Sequence, residues 1–282
     1  MYDVIIIGGG PAGVSAGLYA KRANLNVLIL YYGESNLEKA TSIDNYYGFV
    51  DGIDGKKLYQ SGIKQAENLE IDVKNEEVLS IEKAENFSVK TSCKIYESKS
   101  VIIATGNKKL RPNIKGINEF EGKGISYCAI CDGFFYRNKN IVVIGNGDFA
   151  LSEAEELKRV TNNVMILTNG ESIDDKGEYE VDTRRIKEIC GELKVTSIEF
   201  EDGTTKEIDG IFIALGEAGG ADFAKKLGVI TKNDEIVVNE NMETNIEGLY
   251  SCGNANGGLL QVCKAVYEGA KAGLSCANYC KK

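Results

Sequence analysis

Cys128 and Cys131, in the stretch Tyr127-Cys128-Ala129-Ile130-Cys131-Asp132, form the only Cys-x-x-Cys of the chain. That spacing lets two sulfurs meet within one helical turn or tight loop, so the pair can close a disulfide and reopen it. A helix N-terminus at this point would lower the thiol pKa and supply thiolate at neutral pH. Asp132 adjoins the pair and can carry a proton. The chain has no His, which excludes a Ser-His-Asp triad, a His-bearing zinc site and a His general base, leaving proton transfer to Asp, Glu, Lys, Tyr or Cys. A competing use of the sulfurs is a four-thiolate zinc site completed by Cys276 and Cys280. That second pair is spaced i, i+4 on a C-terminal helix with no knuckle glycine, so no metal site is expected and the two read as ordinary thiols of the last helix. Cys93 reads as structural.

The elements that must position this chemistry begin at the first residues. Asp3 to Ile7 is a continuous apolar run, as in a central parallel strand, and leads into Gly8-Gly9-Gly10-Pro11-Ala12-Gly13. A helix over Pro11 to Arg22 and a strand over Asn26 to Tyr31 complete a βαβ start, the context in which GxGxxG has meaning. Gly8 permits the tight turn, Gly10 lets a pyrophosphate approach the backbone and Gly13 lets helix lie close to strand. The helix N-terminus supplies partial positive charge. The unit recurs where Asn140 to Ile144 runs into Gly145-Asn146-Gly147-Asp148-Phe149-Ala150 and a helix over Leu151 to Val160.

Between the two units, alternation over residues 77 to 92 suggests a small β-meander inserted in the first domain. Val101 to Gly106 and Gly210 to Gly216 are buried strands ending in small-residue turns, each beside its own glycine turn. Gly248 to Gly258 and a helix over Gln261 to Cys280 return to the first domain. The expected fold is therefore α/β, with two dinucleotide-binding, three-layer ββα domains: residues 1–112 and 242–282 form one, and 113–241 form the second, inserted in the first.

A chain of 282 residues suffices for two cores. Its net charge of -9 argues against a nucleic-acid partner. No apolar run approaches membrane-spanning length, and a strand starting two residues in leaves no room for a signal peptide. A cytoplasmic location is expected.

GGGPAG, IIATG at 102–106, YCAICDGFFYRNKNIVVIGNGDFALSEA at 127–154 and NIEGLYSCGNA at 245–255 together resemble the low-molecular-weight bacterial thioredoxin reductases over nearly the whole chain. Asn45 and Gly48 in DNYYGF, and Gln261 before the last helix, also match. The resemblance implies a homodimeric flavoprotein with FAD in the first domain. FAD contacts would come from Gly8, Gly10, Pro11, Ala12, Gly13, Tyr31, Asn45, Ala104, Thr105, Gly106, Gly253, Asn254 and Gln261. By the same carry-over, Cys131 would take electrons from reduced flavin, Cys128 would attack the thioredoxin disulfide, and Asp132 would be the acid-base group. In that family the inserted domain rotates to present its dithiol.

Departures from the family are equally informative. Its His-Arg-Arg aligns with Thr168-Asn169-Gly170 in MILTNGE, leaving no guanidinium for the 2′-phosphate of NADPH. Glu171 is the nearest acid that could favour NADH. Leu215-Gly216-Glu217-Ala218-Gly219-Gly220 replaces a proline-containing segment, Tyr31 replaces a Glu, ESNLEKA replaces a Gly-Gly-Gln loop, and Asn254 stands for Asp. This pattern resembles the flavin-dependent ferredoxin-thioredoxin reductases, which implies ferredoxin as donor, and a basic cluster of Lys108, Lys109, Arg111 and Lys115 is a docking candidate. Two alternatives remain: a nicotinamide donor held at Glu171 or at Lys158 and Arg159, and a flavin redox sensor without turnover.

Overall fold

The structure is a computed structural model that describes residues 1–106, 112–127, 129–174, 176–216, 219–233 and 235–281, with the side chains of residues 130 and 131 outside the description. The chain divides into two compact units, Met1–Lys108 with Gly219–Lys282, and Lys109–Ala218.

In the first unit β1 (Tyr2–Ile7), α1 (Pro11–Arg22) and β2 (Val27–Tyr31) form the βαβ start, followed by α2 (Gly55–Asn68), β3 (Asp72–Asn75), β4 (Val78–Lys83), β5 (Phe87–Thr91) and β6 (Ile95–Ile103). One sheet runs β3-β2-β1-β6-β5-β4. The alternating segment forms the expected meander, β4 and β5 pairing antiparallel and β5 with β6, and it joins the main sheet because β6 is long enough to serve two partners. Its first half pairs antiparallel with β5 at Ile95 to Ser98, and Ser98 to Ile103 pair parallel with β1. Val4 to Ile7 and Val101 to Ile103 are buried, which explains their unbroken apolar character.

The second unit contains α3 (Ile117–Phe120), β7 (Ile125–Ser126), α4 (Ala129–Asp132), β8 (Ile141–Ile144), α5 (Asp148–Lys158), β9 (Val164–Leu167), β10 (Glu180–Asp182), β11 (Ile186–Gly191), β12 (Val195–Phe200), β13 (Thr205–Glu207) and β14 (Gly210–Ile213). A parallel sheet β10-β9-β8-β14-β7 is accompanied by an antiparallel sheet β11-β12-β13. Ile198, Phe200, Ile211 and Ile189 are among the residues filling their core. Helix α5 starts three residues earlier than its apolar pattern suggests, since Gly147 caps it and Asp148 opens its first turn, where an acid is favoured by the helix dipole.

The chain rejoins the first unit at Gly219, with α6 (Gly220–Lys226), β15 (Thr231–Lys232), β16 (Glu235–Ile236), β17 (Leu249–Ser251) and α7 (Val262–Cys280). Residues 219–241, expected in the inserted domain, thus belong to the first unit. The reason is a close approach to a strand distant in sequence: a Cβ on Gly220 would lie 2.7 Å from Thr105 Oγ1 and 3.0 Å from Ile103 Cγ2, so glycine lets α6 start against the end of β6. Strand β17 pairs with β6 in parallel. Helix α7 lies on α1 so closely that a Cβ on Gly269 or Gly273 would meet the carbonyls of Ala12 and Ala16 at 2.1 and 2.4 Å.

Candidate functional site: a strand-end cradle and the Cys-x-x-Cys segment

Three adjacent parallel strands of the first unit end together. Ile7 of β1 and Ser251 of β17 both stand beside Ile103 of β6. The turns that follow hold Gly8 to Gly13, Ala104 to Gly106, and Gly253 with Asn254. Open α/β sheets bind ligands beyond such carboxyl ends. The first turn is built by exclusion. Gly8 has φ +115°, and a Cβ there would sit 2.3 Å from the Ala104 carbonyl oxygen, while one on Gly13 would sit 1.8 Å from the Gly8 oxygen. Gly10 differs, because a Cβ there would meet nothing within 4 Å. Pro11 stands at the start of α1, where its missing N–H costs nothing. No side chain caps α1 and no acid lies in its first turn, so its positive end faces open space.

The other expected residues surround this cradle. A Cβ on Gly253, at φ +75°, would lie 2.7 Å from the Ala12 Cβ, which brings the last turn onto the first. Asn254 belongs to a short 3-10 turn, Gly253–Asn256. Asn45 Nδ2 donates to Gln261 Oε1 at 2.9 Å, tying the DNYYGF loop to the start of α7. Tyr31 packs edge-on to Tyr59, with ring centroids 6.5 Å apart. The ESNLEKA loop that replaces glycines folds as a 3-10 turn capped by Ser35 and Glu38.

Sequence reading missed Glu268 and Lys264. Glu268 Oε2 accepts the Gly253 N–H at 2.8 Å, and Lys264 Nζ donates to the Gly253 carbonyl at 2.8 Å. The two are paired at 3.1 Å, so an i, i+4 ion pair on α7 holds both backbone groups of the third turn. The signal available was that spacing, which on most helices marks only a solvated face.

In the second unit, Cys128 lies outside the described residues. Cys131 falls on α4, its side chain likewise undescribed. Asp132 is half-buried, and its Oδ2 accepts from Ser126 Oγ at 2.6 Å, so the last residue of β7 fixes the carboxylate. Nearby, burial and the Asp132 charge both raise the Tyr136 pKa. The backbone N–H of Ala129 donates to Glu153 Oε2 at 2.8 Å, with Glu153 only 1% exposed on α5. Glu153 was not anticipated, although a charged residue on the face shared with Phe149, Ala150, Ala154 and Leu157 was a visible anomaly.

At the second glycine turn, a Cβ on Gly145 would lie 2.1 Å from the Ala214 oxygen, so the tight strand-to-helix geometry is retained. Beyond β9, the polar groups are committed internally. Thr168 is buried and its Oγ1 donates to the Glu171 carbonyl at 2.6 Å, Asn169 Oδ1 accepts the Ile186 N–H at 2.7 Å, and the Gly170 N–H bonds the Thr183 carbonyl at 2.9 Å. Asn146 Nδ2 reaches the Ser172 carbonyl at 3.3 Å. The three aligned positions carry no guanidinium, but the Arg185 side chain comes close to them: a Cβ on Gly170 would lie 2.8 Å from both Cγ and Nε of Arg185. Fourteen intervening residues hid that approach from the sequence.

The alternative cations are occupied. Lys158 pairs with Glu178 at 2.6 Å and Arg159 with Glu156 at 2.9 Å. Of the basic cluster, Lys108, Lys109 and Arg111 lie outside the described residues, while Lys115 pairs with Glu188 at 2.8 Å. Among the described residues no group of three or more His, Cys, Asp or Glu could hold a metal ion, and no helix is long and apolar enough to cross a membrane.

Two strand–turn–helix units, the first with an open phosphate-type cradle, define a two-unit dinucleotide fold. Residues 2–269 match the pyridine nucleotide-disulphide oxidoreductase family. The thioredoxin reductase of Treponema pallidum is 34% identical, covering 99% of this chain and 97% of that protein. Among solved structures, the atypical thioredoxin reductase TRi of Desulfovibrio vulgaris Hildenborough superposes with TM-score 0.93 at 36% identity, over 100% of this chain and 98% of that one. A ferredoxin-flavin thioredoxin reductase of Clostridium acetobutylicum gives TM-score 0.73 at 32% identity, over 98% and 97%. The chain belongs to the pyridine nucleotide-disulphide oxidoreductase family, among its thioredoxin reductases. Its cofactor is FAD, and the first unit fits a pyrophosphate: Gly10 leaves backbone uncovered, and the uncapped α1 N-terminus faces the same space.

Proposed function

We propose that this protein is an FAD-dependent thioredoxin reductase whose electrons come from ferredoxin. In this reading the first unit binds FAD through Gly8, Gly10, Pro11, Ala12, Gly13, Tyr31, Asn45, Ala104, Thr105, Gly106, Gly253, Asn254 and Gln261. The second carries the redox pair Cys128 and Cys131. Bound FAD can collect electrons singly and deliver them in pairs. Cys131 accepts such a pair as the Cys128–Cys131 disulfide opens. Cys128 then attacks the thioredoxin disulfide, and Cys131 displaces it from the mixed disulfide, so two electrons and two protons pass to the substrate. Asp132, oriented by Ser126, holds and returns a proton at the sulfurs. The enzyme acts in the cytoplasm as a homodimer.

The observation that carries the donor assignment is the closed strand end after β9, where Thr168, Asn169 and Gly170 spend their polar groups on neighbouring backbone. Similarity to the ferredoxin-flavin thioredoxin reductase of Clostridium acetobutylicum supports the same reading. The test is an anaerobic flavin titration with reduced ferredoxin, NADPH and NADH in turn, followed by thioredoxin reduction. Bleaching by ferredoxin alone is the expected result. Bleaching by a nicotinamide within one turnover, with ferredoxin inert, would reverse the assignment. One observation favours that second reading: Arg185 over Gly170 is a guanidinium in the neighbourhood where a 2′-phosphate would need one.

A further inference from the structure

We propose that Cys276 and Cys280 are a second oxidisable thiol pair, in which Cys280 is attacked by a small hydroperoxide and Cys276 then closes a disulfide with it. The pair sits at the amino-terminal edge of the first unit's sheet. Ser100 Oγ lies 2.9 Å from Cys276 Sγ and 3.4 Å from Cys280 Sγ, and it donates to the Asp3 carbonyl at 2.8 Å. Cys280 Sγ also reaches that carbonyl, at 3.5 Å. Asp3 is five residues before Gly8, roughly 16 Å along a strand, so the pair stands at the far end of the sheet from the nucleotide cradle.

This cluster is more than a packing contact because its donors can be redistributed. With Cys280 protonated, its S–H and the Ser100 O–H compete for one carbonyl. With Cys280 ionised, the Cys276 S–H and the Ser100 O–H both have a sulfur anion to point at. Hydrogen bonding from Cys276 lowers the Cys280 pKa despite burial, with help from Ser100 and Lys99 and opposition from the Asp3 charge. Cys276 is raised by the same hydrogen bond and by burial. The Asp3 carboxylate is itself engaged by Lys99 Nζ at 2.8 Å and the Asn26 N–H at 2.9 Å, which softens that opposition. Cys280 is partly exposed and Cys276 fully buried, so attack falls on Cys280 alone.

The chemistry balances with a hydroperoxide as oxidant. Sulfur attack breaks the O–O bond, leaving Cys280 as a sulfenic acid and releasing water or an alcohol. The Cys276 thiol then displaces the sulfenic hydroxyl as water, and two thiols have given up two electrons. Residues i and i+4 on a helix have Cβ atoms about 5–6 Å apart, whereas a disulfide needs about 3.5–4.5 Å. Cys280 is the last residue of α7, so opening the final turn supplies the missing movement.

The experiment treats the full-length holoprotein with hydrogen peroxide, quenches by alkylation and reads each cysteine by mass spectrometry. A Cys276–Cys280 bridge should form about tenfold faster than oxidation of exposed Cys93, given thiolate-controlled reactivity. In Cys276→Ser the sulfenic acid at Cys280 should persist and be trapped by dimedone, and Ser100→Ala should slow the first step. Cys128→Ser should leave bridging intact, which separates this pair from the proposed catalytic one. If both thiols stay alkylatable while Cys93 oxidises, or if bridging disappears in Cys128→Ser, the proposal is wrong.

Discussion

Replacing Gly10 and Gly13 separately by alanine should divorce cofactor binding from folding. At Gly13 the new methyl would stand 1.8 Å from the Gly8 carbonyl oxygen, so the turn must retreat by more than 1 Å to reach an ordinary contact. It has nowhere to go, since Gly8 is already held at φ +115° against Ala104. Overpacking of this kind costs about 1–3 kcal/mol, and at about 2–4 °C per kcal/mol for a domain of this size the melting point should fall by about 2–12 °C. At Gly10 the backbone has φ -74° and ψ -176°, which alanine accepts, and its methyl meets no protein atom. Apoprotein stability should change by less than about 1 kcal/mol. The same methyl occupies the space a pyrophosphate needs to reach the α1 N-terminus, so FAD affinity should drop at least about tenfold, or 1.4 kcal/mol. Thermal melts of apoprotein and fluorescence titration with FAD measure the two effects independently. Wild-type FAD affinity in Gly10→Ala would refute the cradle, and an unchanged melt in Gly13→Ala would refute the packing argument.

Arg185→Ala distinguishes the donor readings: it should leave ferredoxin-driven reduction intact, and any residual NADPH affinity, measured by flavin bleaching, should vanish with it. Ser126→Ala removes the hydrogen bond that orients the Asp132 carboxylate and should lower turnover by about tenfold or more, in keeping with loss of one hydrogen bond to a charged group, with a shifted pH–rate profile as the signature of a positioning role. Asp182→Asn should destabilise the second unit by about 1 kcal/mol at neutral pH, a figure kept low because Arg184 is 41% exposed. Arg184 holds the Asp182 pKa below 3.8, so this stabilisation is present above the unfolded carboxylate value and is lost as pH falls through the lower folded one. Urea melts of the two proteins should therefore differ at pH 7 and converge in strong acid.

Much of the architecture was legible because its causes are local. Strands β1, β8 and β14 and the end of β6 at Val101 to Ile103 are largely buried apolar runs, and each announces itself without knowledge of a partner. Gly8 and Gly13 were readable for the same reason, since a glycine turn between strand and helix has one common use. The boundary at Gly219 was not legible, because two glycines read equally well as a loop; what assigns them is the end of β6, more than a hundred residues earlier. Glu268, Lys264 and Glu153 were missed on similar grounds. Their partners are backbone N–H or C=O groups of distant turns, and backbone groups leave no mark in a sequence.

What the sequence alone determined is the chemistry on offer: a Cys-x-x-Cys with an adjoining acid, two glycine turns in strand–turn–helix context, and no histidine. Residue type and short spacing suffice for those. What only the tertiary structure decided is how polar groups are spent: Ser126 on Asp132, Thr168 on its own loop, Asn169 on the start of β11, Arg185 over Gly170, and Ser100 between two sulfurs. Hydrogen bonds and close approaches depend on which strand ends the sheet register brings side by side, a non-local outcome that residue order specifies only through the completed fold.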